Sequence, residues 1–156
     1  GKTWGEPAAL DPKALRNEPA LLPRGKGRGL AAARHNGLQL YASADDAKTW
    51  SDRGRLTGAS QHPGHLLRLK DGRLLLSYGN RTPDDKCVEV RFSSDEGKTW
   101  SEPVRVVDFQ GDGGYPSSAQ LRDGRILTAY YASRIEGHHR YHMGVVLWDA
   151  ERSSKR

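Results

Sequence analysis

The chain has 156 residues, and its 25 Lys and Arg residues against 19 Asp and Glu give a formal net charge of +6. This charge suits an anionic ligand, but basic and acidic residues are interleaved and only 8% of the residues are aromatic, so the basic, aromatic-rich stripe of a nucleic-acid-binding protein is missing. No apolar run approaches the roughly 18 residues of a transmembrane segment. The composition therefore predicts no nucleic-acid partner and no membrane span.

A motif of the form Ser-x-Asp-x-Gly-x-Thr-Trp recurs along the chain. Its last four residues open the sequence at 1–4, and longer copies occupy residues 43–50 and 93–100. The Trp residues that end the copies are 46 and 50 residues apart, a period typical of four-stranded propeller blades. Ser and Asp side chains that cap backbone N–H groups and a glycine with positive φ indicate a turn, with Trp inserted between sheets. Because the chain begins inside a motif, we expect it to be a fragment.

A second repeat predicts hairpins between these motifs. Residues 69–78 and 121–130 share an Asp-Gly pair flanked by apolar residues, and residues 22–30 are a degenerate copy. Asp-Gly between apolar runs is a strong hairpin signal, here joining the first and second strands of a blade. Third strands are predicted near residues 38–42 and 88–92, a fourth strand near 104–109, and almost no helix.

The spacing of the repeats predicts three blades, at about residues 11–56, 57–109 and 110–150. The last unit, residues 143–148, ends as a third strand with no motif after it. We therefore expect the outer strand of this last blade to come from elsewhere in a longer chain.

Strand alternation decides which side chains share one rim of the blades. The hairpins and the Trp motifs fall on one rim, so the starts of the first strands and the ends of the second strands fall on the other. Glu18 and Tyr115 stand nine residues before the hairpin glycines Gly27 and Gly124, and His62 has nearly the same place in the middle blade. Each precedes a proline, which predicts an extended backbone that directs the side chain to the rim.

Two arginines are predicted to reach the same rim from the ends of second strands. Arg34 follows Gly27 by seven residues, and Arg81 follows Gly72 by nine. A glutamate, a tyrosine and two arginines from three adjacent blades therefore converge.

The single cysteine and a cluster of histidines are not predicted to take part in catalysis or metal binding. The single cysteine, Cys87, lies in an alternating stretch and is interpreted as a strand thiol. The histidines of residues 138–142 fall in a hairpin where alternate residues face opposite sides, and no Cys or Asp completes a tetrahedral set, so no metal site is predicted.

These features resemble the sialidase (neuraminidase) superfamily, whose Asp-box, or BNR repeat, has the form of the recurring motif. The segment from Glu18-Pro19 to Arg34 resembles the family segment with the catalytic Glu and the second arginine of the carboxylate-binding triad. Asn80-Arg81 resembles the segment with the third arginine, and residues 114–118 resemble the segment with the nucleophilic tyrosine. The departures are Pro116 directly after the tyrosine and Ala47 in place of the motif glycine.

The resemblance implies an all-β, six-bladed β-propeller of the sialidase type, of which this chain is about three consecutive four-stranded antiparallel blades in the C-terminal half. It implies a bacterial exo-α-sialidase-like glycoside hydrolase that retains configuration, with Tyr115 as nucleophile and Glu18 as its base. Arg34, Arg81 and His62 would contact the substrate, a sialylated or other acidic glycan, with no cofactor and no metal.

The same resemblance implies that two participants are missing. The first triad arginine and the Asp acid/base belong to N-terminal blades of the same protein, so the isolated fragment is expected to be inactive. The family suggests an extracellular or periplasmic location. The alternative is a non-catalytic, sialidase-like carbohydrate-binding propeller, because Asp-boxes also occur in propellers without this activity.

Overall fold

The computed structural model describes residues 5–150, and the described part consists of β-strands, turns and loops without a helix. The motif remnant at residues 1–4 lies outside the described residues. Since residues 5–150 contain no helix that is long and apolar enough, none of them forms a helical membrane span.

Eleven strands form three antiparallel sheets in which neighbours in sequence are neighbours in space. The first sheet contains β1 (Asn17–Gly25), β2 (Arg28–Arg34), β3 (Leu38–Ser43) and β4 (Ser51–Arg55). The second contains β5 (Gln61–Arg68), β6 (Leu74–Asn80), β7 (Cys87–Ser93) and β8 (Val104–Asp108). The third contains β9 (Gly113–Gln120), β10 (Ile126–Ala132) and β11 (His142–Trp148).

This arrangement agrees with the predicted hairpins and third strands. The Asp-Gly pairs join β5 to β6 and β9 to β10, and the degenerate copy joins β1 to β2. Among the residues described, the last sheet has three strands, and β11 is the third strand that the sequence predicted.

The second sheet packs between the other two and is covered on both faces. Every residue of β6 is buried, which explains why its sequence is a continuous apolar run without alternation. Leu74, Leu76 and Tyr78 face the first sheet, where they contact Leu30 and Leu40. On the opposite face, other buried side chains of the second sheet (Leu75, Val88, Val90 and Phe92) pack with Ile126, Tyr130 and Ala132 of the third. Cys87 is a buried strand thiol of β7, as predicted.

Both complete Asp-boxes form the expected turn. Ser93 Oγ donates a hydrogen bond to Asp95 and accepts one from the Gly97 N–H at 2.9 Å, while Asp95 accepts both the backbone N–H and the hydroxyl of Thr99. These hydrogen bonds lower the pKa of Asp95 to about 2, and the bond from the Thr99 hydroxyl has the largest effect. Trp100 packs against the core between the first and second sheets, as predicted.

The Asp-boxes and the hairpins share one end of the sheets. The Asp46 N–H donates to the Gly27 carbonyl of the first hairpin at 2.8 Å. In the second box, Glu96 accepts hydrogen bonds from Arg68 at 2.8 and 2.9 Å. The starts of β1, β5 and β9 therefore lie at the opposite end.

Replacing Ala47 by glycine is expected to raise the free energy of unfolding by about 0.5–1 kcal/mol, as measured by urea denaturation. Ala47 has a φ of 63°, where a side chain costs about 1–2 kcal/mol, and the greater freedom of glycine in the unfolded chain offsets about half of the gain. The matched control is Gly97→Ala at the same position of the second box, where φ is 85° and a Cβ would lie 3.2 Å from Leu30 Cδ1. That variant should be less stable than the original chain. If neither substitution changed the free energy of unfolding, this account would be contradicted.

Candidate functional site

The first strand of each sheet has a β-bulge at a residue that precedes proline. The pairing with the second strand is irregular between Asn17 and Ala20 in β1 and between Gln61 and Gly64 in β5. In β9 it is irregular at the residues that lie opposite Tyr130 of β10. The residues at these bulges are the pairs Glu18-Pro19, His62-Pro63 and Tyr115-Pro116. Proline lacks the N–H that a regular ladder requires, so it fits a bulge, and a bulge redirects the neighbouring side chain.

The prediction that proline holds Glu18 and Tyr115 in an extended conformation is wrong. Their φ values are 46° and 49°, in the left-handed region, because the bulge turns the backbone at these residues. Such a conformation costs a non-glycine residue about 1–3 kcal/mol and is found preferentially at functional sites. Glu18 and Tyr115 share this conformation, and their side chains meet.

Glu18 and Tyr115 are in direct contact although 97 residues separate them. The Tyr115 hydroxyl donates a hydrogen bond to Glu18 Oε1, and Arg34 Nη1 donates to Glu18 Oε2 at 2.9 Å. Arg34 is positioned by the end of β2, where it pairs with Asn17 beside Glu18. Each oxygen of one carboxylate thus has a donor, one neutral and one cationic.

The contacts shift the pKa values of this pair in opposite directions. Burial acts to raise the pKa of Glu18, but the hydrogen bonds from Tyr115 and Arg34, with the charges of Arg34 and His62, lower it below its usual value. The hydrogen bond to Glu18, then burial, raises the pKa of Tyr115. At neutral pH the pair therefore consists of a carboxylate acceptor and a protonated phenol.

Arg81 reaches the site from the residue after β6 and fixes the segment that carries Tyr115. Its Nε donates to the Gly113 carbonyl at 2.9 Å and its Nη2 donates to the Tyr131 hydroxyl at 2.7 Å. Its Cζ lies 5.3 Å from the centre of the Tyr115 ring, within the range of a cation–π interaction. Part of the guanidinium is therefore committed to holding Tyr115 in place.

Two glycines allow β6 and β9 to approach at this point. A Cβ on Gly79 would lie 3.0 Å from Gly114 Cα, and a Cβ on Gly114 would lie 3.1 Å from Gly79 Cα. Gly114 also has a φ of 114°, which side chains rarely adopt. This backbone contact brings Arg81 and Tyr115 together from different sheets.

The two histidines of β5 occupy different places. His62 is close enough to Arg34, Arg81 and Glu18 for their charges to act on it, but only 8% of the residue is exposed. Burial, followed by the charges of the two arginines, lowers the pKa of His62. His65 lies between sheets, where its Nδ1 accepts the Ser118 N–H at 3.2 Å.

The sequence did not reveal Asp112 and Tyr131, which contact Arg81, or Tyr141, which contacts both of them. The Tyr131 hydroxyl donates to Asp112 Oδ2 at 2.8 Å, and burial followed by this bond raises the pKa of Tyr131 to about 12. A signal was available for Tyr131, which follows Gly124 by seven residues, as Arg34 follows Gly27. Asp112 and Tyr141 lie in loops, where strand alternation does not predict the direction in which a side chain points.

Two of the histidines of residues 138–142 contact each other. His138 and His142 pack edge to face with ring centres 4.7 Å apart. Within residues 5–150 no three His, Cys, Asp or Glu side chains are grouped to hold a metal ion.

Comparison with solved structures gives the same fold in larger proteins. A protein of unknown function from Dyadobacter fermentans DSM 18053 is 31% identical, with a TM-score of 0.73 over 92% of this chain and 41% of that protein. An α-L-arabinanase from Penicillium chrysogenum, solved with arabinobiose, is 19% identical, with a TM-score of 0.71 over 86% of this chain and 46% of the enzyme. An α-L-arabinofuranosidase from Fusarium graminearum, solved with an iminosugar inhibitor, is 17% identical, with a TM-score of 0.71 over 85% of this chain and 45% of the enzyme.

The chain is thus structurally similar to propeller glycoside hydrolases and spans less than half the length of each of these three structures. At identities under 20%, the likeness to the two enzymes concerns the fold alone. No functionally curated protein matches the chain. The sequence profile of the BNR repeat-like domain family matches residues 1–128. With that match over most of its length, the chain belongs to the family of BNR repeat-like domains.

Proposed function

We propose that this chain carries the nucleophile and its base in a retaining exo-α-sialidase-type glycoside hydrolase. The observation that carries the proposal is the hydrogen bond from the Tyr115 hydroxyl to Glu18, between the guanidinium groups of Arg34 and Arg81. The substrate class is a terminal sialic acid or a related acidic sugar.

A phenol is a suitable nucleophile when the sugar itself is anionic. A carboxylate nucleophile about 4 Å from the carboxylate of sialic acid would meet a repulsion of about 4 kcal/mol at an effective dielectric constant of 20. A neutral tyrosine avoids this repulsion, and sialidases are one of the known exceptions to the two-carboxylate scheme of glycosidases. Tyr115 needs a base because its pKa is raised, and Glu18, ionised and in contact with the hydroxyl, is placed to accept the proton.

The arginines supply positive charge at the same place. Among the described residues, the Arg34 guanidinium donates one hydrogen bond, from Nη1 to Glu18, so Nε and Nη2 are available to a carboxylate of the substrate. Arg81 retains Nη1 for the same purpose, while its Nε and Nη2 hold the Tyr115 segment. Contact of His62 with the substrate stays a prediction, since little of the side chain is exposed.

The proposal includes parts outside this chain. We place the three blades at about residues 11–56, 57–109 and 110–150 of a six-bladed ring. The remaining blades, in a longer protein, would supply the acid/base Asp and a further arginine; we call that whole assembly the complete propeller. Without them the leaving group has no proton donor, and the isolated chain should not turn over substrate.

A mechanism-based fluorinated sialic acid tests the proposal. In the complete propeller it should label Tyr115, as located by mass spectrometry of the tryptic peptide, and the Tyr115→Phe variant should remain unlabelled. Labelling of Glu18 or Tyr131 would refute the assigned roles. Binding of a sialoside without labelling or turnover would instead establish the non-catalytic carbohydrate-binding alternative.

A further inference from the structure

Three tyrosine rings form a row that begins at Tyr115, the residue that contacts Glu18. The ring centres of Tyr115 and Tyr131 are 5.7 Å apart, and those of Tyr131 and Tyr141 are 6.1 Å apart. The two end residues are unusually exposed for aromatic residues, Tyr115 at 44% and Tyr141 at 66%. We call Tyr115, Tyr131 and Tyr141 the tyrosine row.

The hydroxyl groups of the row are held in place. Tyr131 donates to Asp112 at 2.8 Å and accepts from Arg81 at 2.7 Å, and the Tyr141 hydroxyl lies 3.5 Å from the same Asp112 oxygen. One carboxylate and one guanidinium therefore fix rings from β9, β10 and the loop before β11. A ligand that stacks on this row does not have to order it first, which lowers the entropy cost of binding.

The chemistry of the row suits a sugar ring. A sugar presents C–H groups on its faces and hydroxyl groups at its edge, so it needs an aromatic surface beside polar partners. Asp112, with nearly half of its side chain exposed, is such a partner.

We propose that Tyr131, Tyr141 and Asp112 form a second sugar-binding subsite adjacent to Tyr115. Which unit it takes rests on the proposed function: if Tyr115 attacks a terminal sugar, the subsite holds the next unit, on the leaving-group side of the bond. The chain would then recognise a terminal sugar together with its neighbour.

The experiment is calorimetric titration of the full chain with ligands of increasing length. The probes are free N-acetylneuraminic acid and sialyllactose, and the neutral trisaccharide arabinotriose serves for comparison. Sialyllactose should bind more tightly than the free sugar, and Tyr141→Ala should weaken its binding about two- to tenfold, the size of one aromatic stacking contact. Tyr141→Phe, which keeps the ring, should restore most of this affinity.

His139→Ala is the matched control, because it removes an exposed ring from the same loop outside the row. Equal affinities for the free sugar and sialyllactose, equal effects of Tyr141→Ala and His139→Ala, or no binding of any probe would overturn the subsite. Tyr141-dependent binding of arabinotriose but not of sialyllactose would support the subsite and refute the proposed sialidase-type substrate. Failure of the two proposals is therefore distinguishable.

Discussion

Replacing Tyr115 by phenylalanine in the complete propeller is expected to lower kcat for an aryl sialoside by a factor on the order of 10⁴ or more. The variant keeps the ring and its contacts with Arg81 and Tyr131 but loses the oxygen that would form the covalent bond. Glu18→Gln removes the base without removing an oxygen acceptor and should cost about 10²- to 10⁴-fold. An unchanged kcat in Tyr115→Phe, measured in the steady state, would eliminate the nucleophile assignment.

The pH dependence gives an independent check, because it follows from the shifted pKa of Glu18. Activity requires the carboxylate, so the acidic limb of kcat/KM should lie below the usual range of a glutamate. Arg34→Met removes a hydrogen bond and a charge that lower this pKa, and the limb should move to higher pH. A limb that does not move would mean that another group titrates.

The same shift links Glu18 to stability. A carboxyl whose pKa is lower in the folded state contributes stability above its unfolded pKa, and this contribution is lost as the pH falls through the folded pKa. Glu18→Gln should therefore destabilise the isolated chain near neutral pH, with the difference disappearing in acid. The variant should also lower the pKa of Tyr115, which Glu18 raises, in a ¹³C NMR titration of the tyrosines.

The fold was predictable because its signals are local and repeated. The Asp-Gly hairpins and the Asp-boxes are short segments whose turn chemistry determines their own conformation, and they fix the order of the strands. Alternation along those strands then placed Glu18, Arg34, Arg81 and Tyr115 at one end. The contact between Glu18 and Tyr115 follows from the same geometry, across 97 residues.

What could not be predicted depends on irregular backbone and on loops. The left-handed conformations of Glu18 and Tyr115 arise at bulges. The prolines at these positions are compatible with a bulge, an edge strand or the first residue of a strand, so they do not by themselves predict this backbone conformation. Asp112 and Tyr141 meet because two loops of the third sheet approach each other. The partial commitment of Arg81 to Gly113 and Tyr131 could be recognised only from coordinates.

Three glycine-to-alanine variants should separate the steric and conformational costs of bringing Arg81 to Tyr115. Gly79→Ala introduces a contact of 3.0 Å with Gly114 Cα and should cost about 1–3 kcal/mol of unfolding free energy. Gly124→Ala has open space but a φ of 94°, so it should show only a backbone cost of about 1–3 kcal/mol. Gly114→Ala combines both and should be the least stable in urea denaturation.

The effect on the site should distinguish these variants further. Gly79→Ala and Gly114→Ala push apart the two backbones that hold Arg81 against Tyr115, so both should change the NMR titration of Tyr115. Gly124→Ala, at the opposite end of the third sheet, should leave that titration unchanged, and the double variant Gly79→Ala/Gly114→Ala should be non-additive because the two positions share one contact. If all three variants left Tyr115 unaltered, close packing of β6 on β9 would not be what positions the nucleophile.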